Sequence, residues 1–190
     1  MLTGIFGGSF NPIHTGHISL ARELLQQLRL DEIWFVVSPL NPFKAEVNDL
    51  LDDDIRLMMA RKALEGEPRM RASDYEFHLP KPSYTWNTLQ HLSTDYPDRR
   101  FVLIIGADNW QKFDRWAHHD YILAHYPIAV YPREGYPVSQ ADLPAGVTLV
   151  DTPLYRLSST EIRQRIAHHQ DITGLVPQQI EALVQKLYSK

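Results

Sequence analysis

Two apolar patterns alternate along the chain. Unbroken apolar runs occur at Leu2–Phe6, Glu32–Val37 and Arg100–Ile105, with shorter ones at Ile128–Tyr131 and Val147–Val150. A run without polar alternation suits a strand covered on both faces, as in a parallel sheet. Between the runs, apolar residues recur at helical spacing. They are Ile18, Leu20, Ala21, Leu24, Leu25 and Leu28 within 17–29; Ile55, Met58, Met59, Ala63 and Leu64 beyond Asp52; Ile162 and Ile166; and Ile180, Leu183, Val184 and Leu187. A further strand is predicted over 69–77, a helix from a Thr85 cap to about Thr94, and one or two short helices over 109–126. Ser158 and Glu161 have capping-box spacing, and Pro177 suits the first turn of the last helix. Asp52, Asp53 and Asp54 read as a cap and solvated turn that complements the helix dipole. The Met58–Met59 pair reads as core.

Alternation of strand and helix over the whole length predicts a three-layer α/β fold. The sheet should be doubly wound and largely parallel, within one domain spanning residues 1–190. The first strand–helix–strand crossover should be right-handed. Ligands of such sheets bind beyond the carboxyl ends of the strands. The glycine-, proline- and histidine-bearing segments 7–17, 38–45, 78–85, 106–116, 132–135 and 151–163 all fall at such ends, and their coincidence is the main fold-level argument for a site.

Composition narrows the function. The net charge of −4 provides no general attraction to nucleic acid or an anionic membrane, so any phosphate binding must be local. The chain has no cysteine, which excludes disulfides, thiolate zinc sites and a cysteine nucleophile. Met1-Leu2-Thr3-Gly4 lacks a basic signal-peptide n-region, and no run of about 18 apolar residues is present. A cytoplasmic location is therefore expected.

The segment Gly4 to His17 carries the most chemistry. It reads as a buried strand, a glycine turn, a loop with two histidines and a helix beginning at Thr15 or Gly16. Gly7 and Gly8, lacking Cβ, let backbone N–H groups approach an anion closely. The helix start adds unpaired N–H groups and the positive end of a dipole, with His14 and His17 beside them. Together these form a phosphate cradle. A second anion site is expected at Ser158–Arg163, where Ser158, Ser159 and Thr160 open a helix and Arg163 follows within about a turn. The same spacing equally describes a capped helix with a surface arginine. Two such sites across one crevice would suit a triphosphate. Lys44 and Arg133, cations in strand-end loops, are within reach of phosphate. Asp108, after Ile105 and Gly106, can accept from a ribose hydroxyl or cap the following helix. Trp116, Trp86 and Tyr84 are candidates for stacking on a flat ring, or core. Neither His118-His119 nor His168-His169 makes a good chelate, since adjacent helical residues diverge. No metal site is expected from protein ligands. A nucleophile elbow, a Walker loop and a G-x-G-x-x-G turn are all absent.

The string G-G-S-F-N-P-I-H-T-G-H at 7–17 and S-S-T-E-I-R at 158–163 resemble the two most specific motifs of the nucleotidyltransferase superfamily with a Rossmann-like domain. Lys44 in its proline loop, Ser83-Tyr84-Thr85 with Thr88-Leu89, and Gly106-Ala107-Asp108 followed by Trp116 resemble the nicotinate-nucleotide adenylyltransferases. The resemblance implies transfer of the adenylyl group of ATP to nicotinate mononucleotide, yielding deamido-NAD and pyrophosphate, with magnesium required. It implies that His14 and His17 bind the ATP phosphates and stabilise the reacting α-phosphate, with Gly7, Gly8 and Ser9 helping. Ser159, Thr160 and Arg163 would hold the outer phosphates and Arg133 would add to ATP binding. Gly106 and Asp108 would face the adenosine, Thr85 and Trp116 the pyridine ring and its carboxylate, and Lys44 the phosphate region. The family loop usually reads Pro-His-Lys, whereas this chain has Pro42-Phe43-Lys44, and Phe43 cannot donate a hydrogen bond.

The implied mechanism needs no strong base, because the attacking 5′-phosphate oxygen is already ionised at neutral pH. Magnesium would be bound mainly by phosphates and water. The partners expected are ATP and nicotinate mononucleotide, without nucleic acid or membrane, in a monomer or small homo-oligomer. Alternatives are the same chemistry on nicotinamide mononucleotide or another phosphorylated acceptor, and a nucleotide-binding regulator without turnover.

Overall fold

Six strands form one sheet in the order β3-β2-β1-β4-β5-β6. They are β1 (Leu2–Gly8), β2 (Glu32–Val37), β3 (Met70–Ser73), β4 (Arg100–Gly106), β5 (Ile128–Tyr131) and β6 (Val147–Leu149). Every neighbouring pair is parallel. The computed structural model describes residues 1–39 and 50–189. Within them the helices are α1 (Thr15–Gln27), α2 (Asp53–Ala63), α3 (Thr85–Asp95), α4 (Ala107–Trp110), α5 (His119–His125), α6 (Ser159–Ala167) and α7 (Gln178–Tyr188).

Both faces of the sheet are covered, which is why its strands are apolar without alternation. On one face Phe6, Ile33, Phe35 and Ile104 pack with Leu24 of α1, Met59 of α2, Ile162 of α6 and Ile180 of α7. On the other, Ile5, Trp34, Val36, Leu103 and Ile105 pack with Leu89 and Leu92 of α3 and Ile122 of α5. The chain enters at β1, winds outward to β3, then returns to lay β4 against the other side of β1. Beyond the carboxyl ends of β1 and β4 this reversal opens a crevice. Both strands that border it end in glycine, at Gly7-Gly8 and at Gly106.

Five local expectations are corrected. The strand predicted over 69–77 is β3 alone, followed by a 3₁₀ turn at Tyr75–His78. The Ser73 hydroxyl accepts from the Tyr75 N–H at 3.2 Å, a local side-chain turn that ends the ladder. Thr85 is the first residue of α3 rather than its cap; Tyr84 holds the cap position with extended backbone and no capping side-chain bond. Met59 is core, but Met58 points outward at 45% exposure, because α2 buries the face bearing Arg56, Met59, Ala60 and Ala63. The aspartate triplet is also less solvated than expected, since Asp53 pairs with Arg56 at 2.6 Å and with Lys81 at 3.3 Å. Ser158 does cap α6, accepting from the Glu161 N–H at 3.1 Å, while the Glu161 carboxylate turns to Arg165 instead of closing the box.

Candidate active site

The turn after β1 is held from outside by donors to its carbonyls. Arg56 of α2 donates from Nη1 to the Ser9 carbonyl at 2.5 Å, Arg163 of α6 from Nη1 to the Asn11 carbonyl at 2.8 Å, and the Ser159 hydroxyl to the Pro12 carbonyl at 2.8 Å. The Asn11 side chain is fastened as well. Its Oδ1 accepts from the Tyr188 hydroxyl at 2.6 Å and from the Leu51 N–H at 3.3 Å. Phe10 takes a left-handed backbone (φ 46°), which costs roughly 1–3 kcal/mol for a bulky residue. Burial of its ring offsets that cost: it is 3% exposed and meets Phe6 and His17 edge-on at 5.8 and 5.2 Å. At Gly7 an added Cβ would touch nothing within 4 Å, so this backbone opens onto free space.

His14 stands at the cap position of α1, and His17 one turn on stacks against it with ring centroids 3.6 Å apart. The His14 backbone N–H donates to His17 Nδ1 at 3.2 Å. A backbone N–H can only donate, so Nδ1 of His17 is unprotonated and the neutral ring carries its proton on Nε2. His14 is 4% exposed, and burial, aided by the positive charge of Arg133, lowers its pKa to about 3. Its ring is therefore neutral at physiological pH. A narrow cleft lined by His14, His17, Arg133, Tyr131 and Leu157 joins this loop to the segment before α6.

A larger cavity of about 420 Å³ lies over the ends of β1 and β4. Gly7, Gly8 and Gly106 form part of its wall, with Thr85 at the start of α3 and Trp116 opposite. A Cβ at Gly106 would displace the Asp108 carboxylate and press within 3.1 Å of the Arg133 and Tyr131 side chains, so the absence of a side chain there lets Asp108 and Arg133 take their places. Asp108 lies beside Arg133, with Oδ1 3.5 Å from Nε. Deeper in the wall sit Glu76 and Ser83, 8% and 5% exposed. Glu76 Oε1 accepts from the Thr88 hydroxyl at 2.8 Å, and the hydroxyls of Ser38 and Ser83 face the same carboxyl group. Burial raises the Glu76 pKa, and the hydroxyls of Thr88, Ser38 and Ser83 only partly oppose it.

The structure therefore brings together most of the residues singled out in the sequence. Gly7, Gly8, Gly106, Thr85 and Trp116 line the larger cavity, and His14, His17 and Arg133 the cleft. Ser159 and Arg163 join the two motif segments through the backbone of residues 11 and 12. Thr160 lies next to them, its Oγ1 3.5 Å from Arg163 Nη2. Ser9 contributes its carbonyl to Arg56, and Asp108 meets Arg133, rather than either lining the larger cavity. Tyr84 lines the cavity, whereas Trp86 packs on His118 with centroids 4.5 Å apart. Lys44 and Phe43 lie outside the described residues.

Sequence reasoning missed Arg56, Glu76 and Arg115, and named Ser83 only as part of a motif, without a role. Arg56 is wholly buried and also donates to the carbonyls of Leu51 at 2.8 Å and Ser38 at 3.0 Å. Its signal was visible: a cation at helical spacing with Met59, Ala60 and Ala63, on the apolar face. Glu76 was hidden by the over-long strand. Arg115, a cation lining the cavity beside Trp116, carried no periodic signal. Among the described residues no group of three or more His, Cys, Asp or Glu could hold a metal ion, and no helix is long and apolar enough to cross a membrane.

Comparison with known proteins adds an independent line. Residues 5–165 match the family described as cytidylyltransferase-like. A probable nicotinate-nucleotide adenylyltransferase of Bacteroides fragilis is 52% identical over 170 residues, covering 90% of this chain and 84% of the relative. One of Cytophaga hutchinsonii is 44% identical over 191 residues, covering 100% and 99%. The solved structure of Plasmodium falciparum nicotinic acid mononucleotide adenylyltransferase complexed with NaAD superposes with a TM-score of 0.82 at 20% identity, covering 98% and 97%. At that identity the match speaks for the fold.

Proposed function

The chain belongs to the cytidylyltransferase-like family and, within it, to the nicotinate-nucleotide adenylyltransferases, and from that membership we propose how its own residues carry the reaction. It transfers the adenylyl group of ATP to the 5′-phosphate of nicotinate mononucleotide, releasing pyrophosphate and forming deamido-NAD. The observation that carries the reading is the junction of the two motif segments. Arg163 and Ser159 bond to the backbone of Asn11 and Pro12, one turn before the His14–His17 pair.

The triphosphate lies along the turn after β1 and the start of α1. Ser9, Asn11 and Pro12 have their carbonyls occupied by Arg56, Arg163 and Ser159, which leaves N–H groups at and beyond the Gly7-Gly8 end of β1 for the anion. His17 donates through Nε2 to the α-phosphate, where negative charge grows as the pentacoordinate centre forms. Its ring is already fixed by the bond to His14, so little reorganisation accompanies the step. His14, neutral through burial, adds a second imidazole without electrostatic conflict with Arg133. Arg133, Ser159, Thr160 and Arg163 serve the outer phosphates and the leaving pyrophosphate. Gly106 and Asp108 border the adenosine.

The mononucleotide ring enters the larger cavity between Thr85 and Trp116, which brings its phosphate toward the α-phosphate of ATP. The nucleophile is supplied by the substrate, so the protein contributes position and charge rather than a base. The phosphate side offers imidazoles, hydroxyls and arginines, a donor set suited to anionic oxygens and not to a cation. Magnesium would therefore be held chiefly by the ATP phosphates and water, and when bound it would supply charge neutralisation at the leaving group.

The test is an ATP-dependent assay with nicotinate mononucleotide and nicotinamide mononucleotide side by side. Pyrophosphate release with deamido-NAD appearing by chromatography is expected for the first. ATP binding by calorimetry without product from either would overturn the reading in favour of a nucleotide-binding regulator.

A further inference from the structure

Resting on the reading that places His17 at the α-phosphate, we propose that Thr15 is a positioning residue: by docking on the segment between α6 and α7 it fixes the backbone from which the His17 ring is aimed. Thr15 lies between the two histidines and is the first residue of α1. Its backbone N–H donates to the Leu175 carbonyl at 3.0 Å. Its hydroxyl shares a proton between the carbonyls of Leu175 at 3.0 Å and Gly174 at 3.2 Å. The first N–H groups of a helix have no intrahelical partner. Here one of them is tied to a residue 160 positions away. The peptide unit joining His14 to Thr15 is therefore gripped from both sides. Its N–H points to Leu175, while its carbonyl, that of His14, accepts from the N–H groups of His17 at 3.0 Å and Ile18 at 3.4 Å. The preceding peptide unit supplies the His14 N–H that holds Nδ1 of the His17 ring at 3.2 Å. Two adjacent peptide planes thus set both the backbone of His17 and the direction of its Nε2.

The segment that grips Thr15 is itself braced. Asp171 Oδ1 accepts from the N–H and the hydroxyl of Thr173 at 2.9 and 2.7 Å, and the Leu175 N–H donates to the Ile172 carbonyl at 2.9 Å. Ile172 and Val176 are buried in the core. Gly174, between them, has a left-handed backbone with φ 76°, which a residue without Cβ adopts freely. The far end of α7 reaches the same loop through the Tyr188–Asn11 bond. These contacts come from beyond residues 5–165, the stretch that carries the family match. The histidine motif is held in place by a part of the chain outside that stretch.

The experiment compares kcat and KM for both substrates, from initial rates of pyrophosphate release, in Thr15→Val and Thr15→Ser. Valine keeps the branched shape and loses the donor, whereas serine keeps the donor. Thr15→Val should lower kcat by about 10- to 100-fold, the scale set by misplacing a reacting group by an ångström. Both KM values should change less, because the lost contact is one made as charge grows on the α-phosphate. Thr15→Ser should restore most of the rate. In a His17→Ala background Thr15→Val should cost almost nothing more, since the group it aims is gone. Gly174→Val, strained at φ 76°, should lower kcat in the same way, and Gly174→Asn, which tolerates that backbone, should not. An unchanged kcat in Thr15→Val, or the full loss repeated in the His17→Ala background, overturns the proposal while leaving adenylyl transfer intact. If Thr15→Val does not fold, the two Gly174 variants decide, and equal kcat in both overturns it. Wild-type turnover in His17→Ala would remove the reading of that histidine, and the proposal with it.

Discussion

The turn after β1 and the wall of the larger cavity differ in what holds them. In the turn, the carbonyls of Ser9, Asn11 and Pro12 are each taken by a donor from another element, and the His17 ring is fixed by a backbone N–H. In the wall, side chains hold one another: Glu76 Oε1 accepts from the Thr88 hydroxyl at 2.8 Å, and the hydroxyls of Ser38 and Ser83 face the same carboxyl group. The backbone of the turn is finished by long-range donors, whereas the wall gathers polar side chains around one buried acid.

Breaking the finished side should have the larger consequences. Arg56→Met removes a buried guanidinium bonded to three carbonyls and to Asp53, and should cost about 3–5 kcal/mol of stability, read by urea denaturation. An undiminished midpoint would mean that the turn holds its shape without this anchor. His17→Ala should keep the fold and lower kcat by roughly 10²–10³, about 2.7–4 kcal/mol of barrier; wild-type turnover by pyrophosphate release would rule out its role at the α-phosphate.

His14 provides a graded perturbation. Its pKa falls from the usual 6.5 to about 3 on folding, so between those values the unfolded chain binds the extra proton. Stability must then fall as pH drops through this window, by at most about 1.4 kcal/mol per unit from this one group. His14→Asn should lack that increment, measured as the difference between the two pH–stability curves. The smallest effect is expected from Tyr188→Phe. It removes one hydrogen bond to Asn11, worth about 0.5–1.5 kcal/mol, and should change kcat little because Asn11 keeps its bond from Leu51.

The fold was legible where pattern is periodic. Residues 32–37 and 100–106 are strands because both sheet faces bury them, and an unbroken apolar run carries that information by itself. The loop leading into α1 was legible as a segment, since glycines, histidines and a helix start stand adjacent in sequence, although Gly7 and Gly8 extend β1 where a glycine turn was expected. What escaped depends on long-range pairing. Ser159 docks on Pro12 across the whole domain, a contact that no local signal encodes. Glu76 sits in a 3₁₀ turn created by the Ser73 hydroxyl, and its importance comes from Thr88 and Ser83 arriving from elsewhere. Arg56 was readable in principle, as a charge on a buried helical stripe, but its partners were not.

A single guanidinium grips the chain at Ser38 and again at Leu51. One side chain of α2 thus fastens both the chain leaving β2 and the approach to α2 itself, so that losing it would loosen two stretches of backbone at a stroke.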